Sequence, residues 1–165
     1  MTAIGSDTGD PLRARHPVAG QRRRLALRGV RGHVAKGRAF TREALRDWGW
    51  DSNQTTEDAL LIVSELLTNA SLHAGGCDEL VLTVGTGLRI EVVDGATQMP
   101  APRATPRGTP GGHGLSIVQR LSDRWGAVPH DGGKVVWAEI EGSRLTAGTP
   151  APVRGGPGPN GATVQ

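Results

Sequence analysis

Apolar residues recur along this chain with two periods, and the switches between them lay out the elements. Leu25, Leu27 and Val30 alternate with polar or small residues and predict a short strand. From about His33 to Trp48, Val34, Phe40, Ala44, Leu45 and Trp48 recur at helical spacing, while Arg38, Arg42 and Arg46 line another face. Gly49 is expected to stop that helix. A second helix, roughly Thr56 to His73, carries Ala59, Leu60, Ile62, Val63, Leu66, Leu67 and Ala70, a stripe broad enough to require burial on most of its circumference. Thr55 or Thr56 is the expected cap, with Glu57 and Asp58 suited to the positive end of the helix dipole, and Gly75-Gly76 ends the helix.

Alternation then returns. Leu80, Leu82 and Val84, a turn at Gly85-Thr86-Gly87, and Leu88, Ile90, Val92 and Val93 predict a β-hairpin. Residues 95–112 hold Pro100, Pro102, Pro106 and Pro110 with several glycines, a stretch longer than an ordinary connection. A third helix is expected from near Gly114, carrying Leu115, Ile117, Val118 and Leu121. Trp125 to Val128 and Val135 to Ile140 predict two strands around Asp131-Gly132-Gly133. This order implies an α+β fold: a two-layer sandwich of one mixed or antiparallel sheet with helices on one face.

Composition narrows the picture at the ends. The chain has 165 residues, enough for one ordinary domain. Its 36% apolar content is low, and the deficit lies in the first twenty and last twenty-odd residues. Residues 1–21 are expected to be a disordered leader, 22–141 the folded domain and 142–165 a disordered Gly/Pro/Thr-rich tail. The net charge of +3 comes largely from Arg22, Arg23, Arg24, Arg28 and Arg31. Nucleic-acid binding is not expected, because Phe40 is the only Phe, Tyr is absent and the basic run lacks interleaved stacking rings. The single cysteine, Cys77, excludes an intrachain disulfide and suits a reducing cytoplasm. No apolar stretch reaches the roughly 18 residues that a membrane helix needs, so a cytoplasmic location is expected.

Three sets of residues carry candidate chemistry. Glu65 and Asn69, four apart on an otherwise apolar helix, project from one face, and His73 continues it a turn later. A carboxylate and an amide on a core helix need partners. Hydrated Mg²⁺ with phosphates would serve, with Asn69 giving a neutral oxygen and Glu65 holding or activating a nucleophile. The plainer reading is that the pair marks the solvent edge of the helix. Asp94-Gly95 ends a strand of buried character, where a carboxylate can accept the exocyclic amine of adenine and glycine lets a ligand approach. The plainer reading there is an ordinary Asp-Gly turn. Gly111-Gly112-His113-Gly114-Leu115 opens the third helix and offers backbone amides to an anion, or serves as a flexible hinge. It is neither a Walker A loop nor a Rossmann fingerprint.

Taken in order, these sets resemble a known family. Glu65-Leu-Leu-Thr-Asn69-Ala-Ser-Leu-His73-Ala resembles the N box of the GHKL (Bergerat-fold) ATPases, a superfamily that includes the histidine-kinase-like ATPase domain. Val92-Val93-Asp94-Gly95 resembles the adenine-binding box, and Gly112-His-Gly114-Leu115-Ser-Ile-Val118 the second glycine box. Within that superfamily the chain is most similar to stand-alone actinobacterial ATP-binding proteins related to anti-sigma factor serine/threonine kinases. The resemblance spans about residues 24–141. It implies a Bergerat ATP-binding fold, with ATP and Mg²⁺ as cofactors. It further implies that Glu65 is the base, that Asn69 coordinates Mg²⁺ bridging the phosphates, and that His73 lies near them. Asp94 and Gly95 would receive adenine, Gly112, Gly114 and Leu115 would wrap the phosphates, and residues 96–111 would form the lid.

The sequence departs from the family pattern in three places. Asp94-Gly-Ala-Thr lacks the second glycine of the adenine box, Gly133-Lys-Val-Val136 offers no hydroxyl where the last strand often begins with Thr, and the lid has Arg103 and Arg107 but no lysine. The function expected from the resemblance is a protein serine/threonine kinase that phosphorylates an anti-sigma factor antagonist and also engages a sigma factor. The alternative is a non-catalytic ATP-dependent protein-binding module that docks a partner through Arg38, Arg42 and Arg46. A hydrolytic clamp is a third option, for which a transducer domain is missing. No candidate phosphoacceptor helix stands ahead of the domain, so a complete sensor histidine kinase is not expected. The sequence is compatible with a homodimer.

Overall fold

A computed structural model of the chain describes residues 17–51, 53–100 and 114–147. Five strands and four helices follow one another as β1 (Arg22–Ala26), α1 (His33–Asp47), α2 (Gln54–Ala74), β2 (Glu79–Val84), β3 (Gly87–Asp94), α3 (Gly114–Leu121), β4 (Arg124–His130), β5 (Gly133–Glu141) and α4 (Gly142–Ala147). The strands form a single sheet in the order β1-β2-β3-β5-β4. Every neighbouring pair is antiparallel, which settles the sheet as purely antiparallel.

Strict alternation in β3 explains the two layers. Leu88, Ile90, Val92 and Asp94 are buried, while the residues between them are half-buried. Their cross-strand partners on β5 are Ile140, Ala138, Val136 and Lys134, so this face is apolar until its last rung. The apolar stripe of α2 covers it, and Ala59, Ile62, Val63, Leu66, Leu67 and Ala70 share one core with Leu80, Leu82, Ile90, Val92 and Val136. Each Val, Leu or Ile among them contributes about 1.5–3 kcal/mol on burial, and the periods match because helix stripe and strand alternation meet on one surface.

Two boundaries differ from expectation. Asn53, not Thr55 or Thr56, caps α2: its Oδ1 accepts the Thr56 amide at 3.2 Å. Thr56 instead donates its hydroxyl to the Trp50 carbonyl at 2.5 Å. The expected stop at Gly75 is present, in the left-handed region at φ 71°. The segment from 142, expected to open a disordered tail, begins with α4. Its Leu145 is 1% exposed and joins the core. Buried Arg144 donates to Asp123 at 2.8 Å and to the Leu121 carbonyl at 3.1 Å, and it lies 3.7 Å from Asp58. These contacts tie α4 to the starts of β4 and α2. Composition read this stretch as linker because only one of its six residues is a large apolar one.

Candidate functional site

Asp94 is the last residue of β3, and the register of the sheet sets it opposite Lys134 on β5. Both side chains point to the face that the helices cover, and they are 2% and 4% exposed. The Lys134 ammonium donates to Asp94 Oδ1 at 2.9 Å and to the Ala96 carbonyl at 3.3 Å. The Ala96 amide donates to the same Oδ1 at 2.9 Å, closing a turn just past the strand. Among the described residues, Asp94 Oδ2 takes no hydrogen bond. Burying two charges is costly unless they are paired and hydrogen-bonded, and here pairing is achieved on one carboxylate oxygen only.

The backbone around the pair leaves space on one side and none on the other. A Cβ on Gly133 would lie 2.0 Å from the Asp94 carbonyl oxygen and 2.8 Å from Gly95 Cα. Only glycine lets β5 begin so close to the end of β3. A Cβ on Gly95 would meet nothing within 4 Å, so the backbone there borders open space.

In the sequence, position 134 stands out only for lacking a hydroxyl. The signal that reveals it is phase: residues 134, 136, 138 and 140 share the buried face of β5, so a lysine stands where the pattern calls for an apolar side chain.

Glu65 and Asn69 lie on α2, half-buried, and His73 is exposed in its last turn. Among the described residues none of the three makes a hydrogen bond or ion pair. The opposite flank of α2 is taken by α1: Arg38 donates to Ser64 at 2.6 Å, and His33 shares a hydrogen bond with Ser71. At about 100° per residue, Glu65 and Asn69 fall on the other edge of the core stripe from Ser64 and Ser71, while His73 lies within the angular span of the stripe, beyond its last buried residue Ala70. Glu65 and Asn69 thus share one flank of a helix that packs across the sheet face bearing Asp94 and Lys134.

Gly114 is the first residue of α3, and Leu115 beside it is 8% exposed. Gly112 and residues 101–111 of the expected lid, with Arg103 and Arg107, lie outside the described residues. Cys77 is 4% exposed. Burial, then the negative charges of Asp78 and Asp94, push its thiol up to about 12, which makes it a poor nucleophile.

The donor set fits Mg²⁺ held through a nucleotide. Among the described residues no group of three or more His, Cys, Asp or Glu side chains could hold a metal ion. Mg²⁺ in phosphoryl sites commonly relies on one or two carboxylates with phosphates and water, and the side-chain oxygens of Glu65 and Asn69, half-buried and unpartnered among the described residues, are of a type that suits it. The arginine face is partly engaged, since Arg38 reaches Ser64 and Arg42 lies 3.5 Å from Glu57. No helix among the described residues is long and apolar enough to cross a membrane.

The family model of the histidine kinase-like ATPase domain matches residues 30–140, a span that holds every site residue named above. No curated protein matches the chain. The chain belongs to the histidine kinase-like ATPase domain family.

Proposed function

We propose that this domain binds Mg-ATP and passes the γ-phosphoryl group to a serine hydroxyl of a partner protein, an antagonist of an anti-sigma factor. The observation that carries the reading is the pairing of two unmet needs within one family domain. Glu65 and Asn69 are half-buried without a hydrogen-bonding partner among the described residues, and buried Asp94 has one carboxylate oxygen to spare beside open space at Gly95. Asp94 Oδ2 would accept the amine of adenine. Asn69 would hold Mg²⁺ through its carbonyl oxygen, and His73 would sit near the phosphates. Gly112, Gly114 and Leu115 would cradle them with backbone amides at the start of α3. Bound Mg²⁺ offsets phosphate charge. Glu65 would orient the attacking hydroxyl and take its proton, so catalysis rests on positioning and electrostatics.

The test is incubation with labelled ATP, Mg²⁺ and a candidate antagonist encoded beside this protein. Transfer of label to a serine, lost in Glu65→Ala with ATP binding retained, is the expected result. ATP binding without transfer would leave the non-catalytic binding module, in which nucleotide orders the lid for a protein partner. Unchanged affinity for ATP in both Asn69→Ala and Asp94→Asn would overturn the pocket itself.

A further inference from the structure

The geometry points to Lys134 as a second base-reading residue, one that donates a hydrogen bond to ring nitrogen N1 of adenine while Asp94 accepts from the 6-amino group. This rests on the ATP-binding reading above and deepens it. An ammonium has three protons and no acceptor. Two of the Lys134 protons are directed at Asp94 Oδ1, 2.9 Å away, and at the Ala96 carbonyl, 3.3 Å away. The third has no partner among the described residues. Asp94 likewise accepts two bonds on Oδ1, from Lys134 and from the Ala96 amide, and keeps Oδ2 available.

The result is an acceptor and a donor fixed side by side at the end of two paired strands. Adenine presents a donor at its 6-amino group and, next to it, an acceptor at N1. The two edges are complementary. Guanine in the same pose would set its O6 acceptor against the carboxylate and its N1–H donor against the ammonium, so both contacts would be repulsive.

Three features keep the pair rigid enough to discriminate. Both side chains are at least nine-tenths buried, and they are direct cross-strand partners. Gly133 holds the two backbones closer than any side chain would permit, with a would-be Cβ 2.0 Å from the Asp94 carbonyl oxygen. A structural ion pair alone would be served as well by engaging both carboxylate oxygens, whereas this arrangement concentrates its bonds on one.

Calorimetric titration of the full chain with Mg²⁺ and two nucleotides tests this. One is ATP; the other is 1-deaza-ATP, which keeps the 6-amino group but carries C–H in place of N1. The native protein should bind 1-deaza-ATP roughly 10- to 100-fold more weakly than ATP, the range expected for losing a hydrogen bond to a charged group. In Lys134→Met the ratio of the two affinities should fall to near one, whatever happens to the absolute values. GTP should bind more weakly still than 1-deaza-ATP to the native protein. Equal affinity of the native protein for ATP and 1-deaza-ATP overturns the role of Lys134 and leaves ATP binding standing. No binding of ATP at all overturns the ATP reading and this inference with it. The native arm does not depend on the variant folding, and a thermal melt of Lys134→Met shows whether its arm can be read.

Discussion

Strands β3 and β5 carry cation–carboxylate pairs on both faces, and the two sets do different work. On the open face Arg89 and Arg124 each reach Glu139 at 2.7 Å, Arg89 lies 3.3 Å from Glu91, and Arg22 stands 3.9 Å from Glu91. The Arg89 guanidinium also sits 4.3 Å from the centroid of the Trp137 ring. On the covered face these strands hold, among the described residues, one pair, Asp94 and Lys134, at 2.9 Å. The distances hardly differ. Exposure does: the partners of the Arg124–Glu139 pair are 70% and 24% exposed, those of the covered pair 4% and 2%. Water and salt screen the first, while the second is desolvated on both sides, so each covered charge depends on the other. A pair kept at such a cost, on a face that is otherwise apolar, is what supports the base-reading role proposed for it.

The comparison can be broken first at Asp94. Asp94→Asn leaves the Lys134 ammonium buried without its counter-charge, and about 3–5 kcal/mol of stability should be lost in urea unfolding. The same variant should lose measurable ATP binding. If Arg89→Ala proved equally costly, burial would not be what separates the two faces. Next comes Gly133→Ala, which drives a methyl group into the Asp94 carbonyl and should cost about 1–3 kcal/mol through strain on the β3–β5 register. Asn53→Ala, remote from both faces, calibrates these figures: loss of the α2 cap should cost about 1 kcal/mol with ATP affinity unchanged. On the open face, Arg124→Ala should cost at most about 1 kcal/mol, an effect that added salt diminishes. The smallest effect at neutral pH belongs to Cys77. Its folded thiol titrates at about 12 against an ordinary 9.0, so its contribution is intact below about pH 9 and is lost as pH rises toward 12. Alkylation of the native chain at pH 7 should therefore be slow and should accelerate on unfolding.

Much of this architecture was legible because it is periodic. The stripe Ala59, Ile62, Val63, Leu66, Leu67 and the alternation Leu88, Ile90, Val92 determine which faces meet, and both read directly from the order of residues. Glu65, Asn69 and Asp94, the candidates for the proposed site, stand out in the sequence as polar residues out of place on apolar elements. The buried pairing of Lys134 does not, because its partner is 40 residues away and becomes visible only once the β3–β5 register is known. Helix α4 escaped for a different reason. Its packing rests on Arg144 and Leu145, two side chains in a stretch whose small and polar neighbours carry no period. Asn53 was passed over because threonines beside acidic residues also satisfy the rules for a cap; the choice between them depends on where the chain arrives from Trp50.

The covered pair also bears on how the sheet finds its alignment during folding. In the native register Asp94 faces Lys134, Val92 faces Val136 and Ile90 faces Ala138. Sliding β5 by one residue would set Val135 opposite Asp94 and turn Lys134 toward the open face. A carboxylate would then be sealed in the core alone, a penalty of about 3–5 kcal/mol that an all-valine ladder would not impose. The same slip would turn Val136, Ala138 and Ile140 outward and carry Glu139 inward, so the aliphatic rungs hold the alignment by their alternation. The charged rung adds a penalty of its own at the end of the ladder.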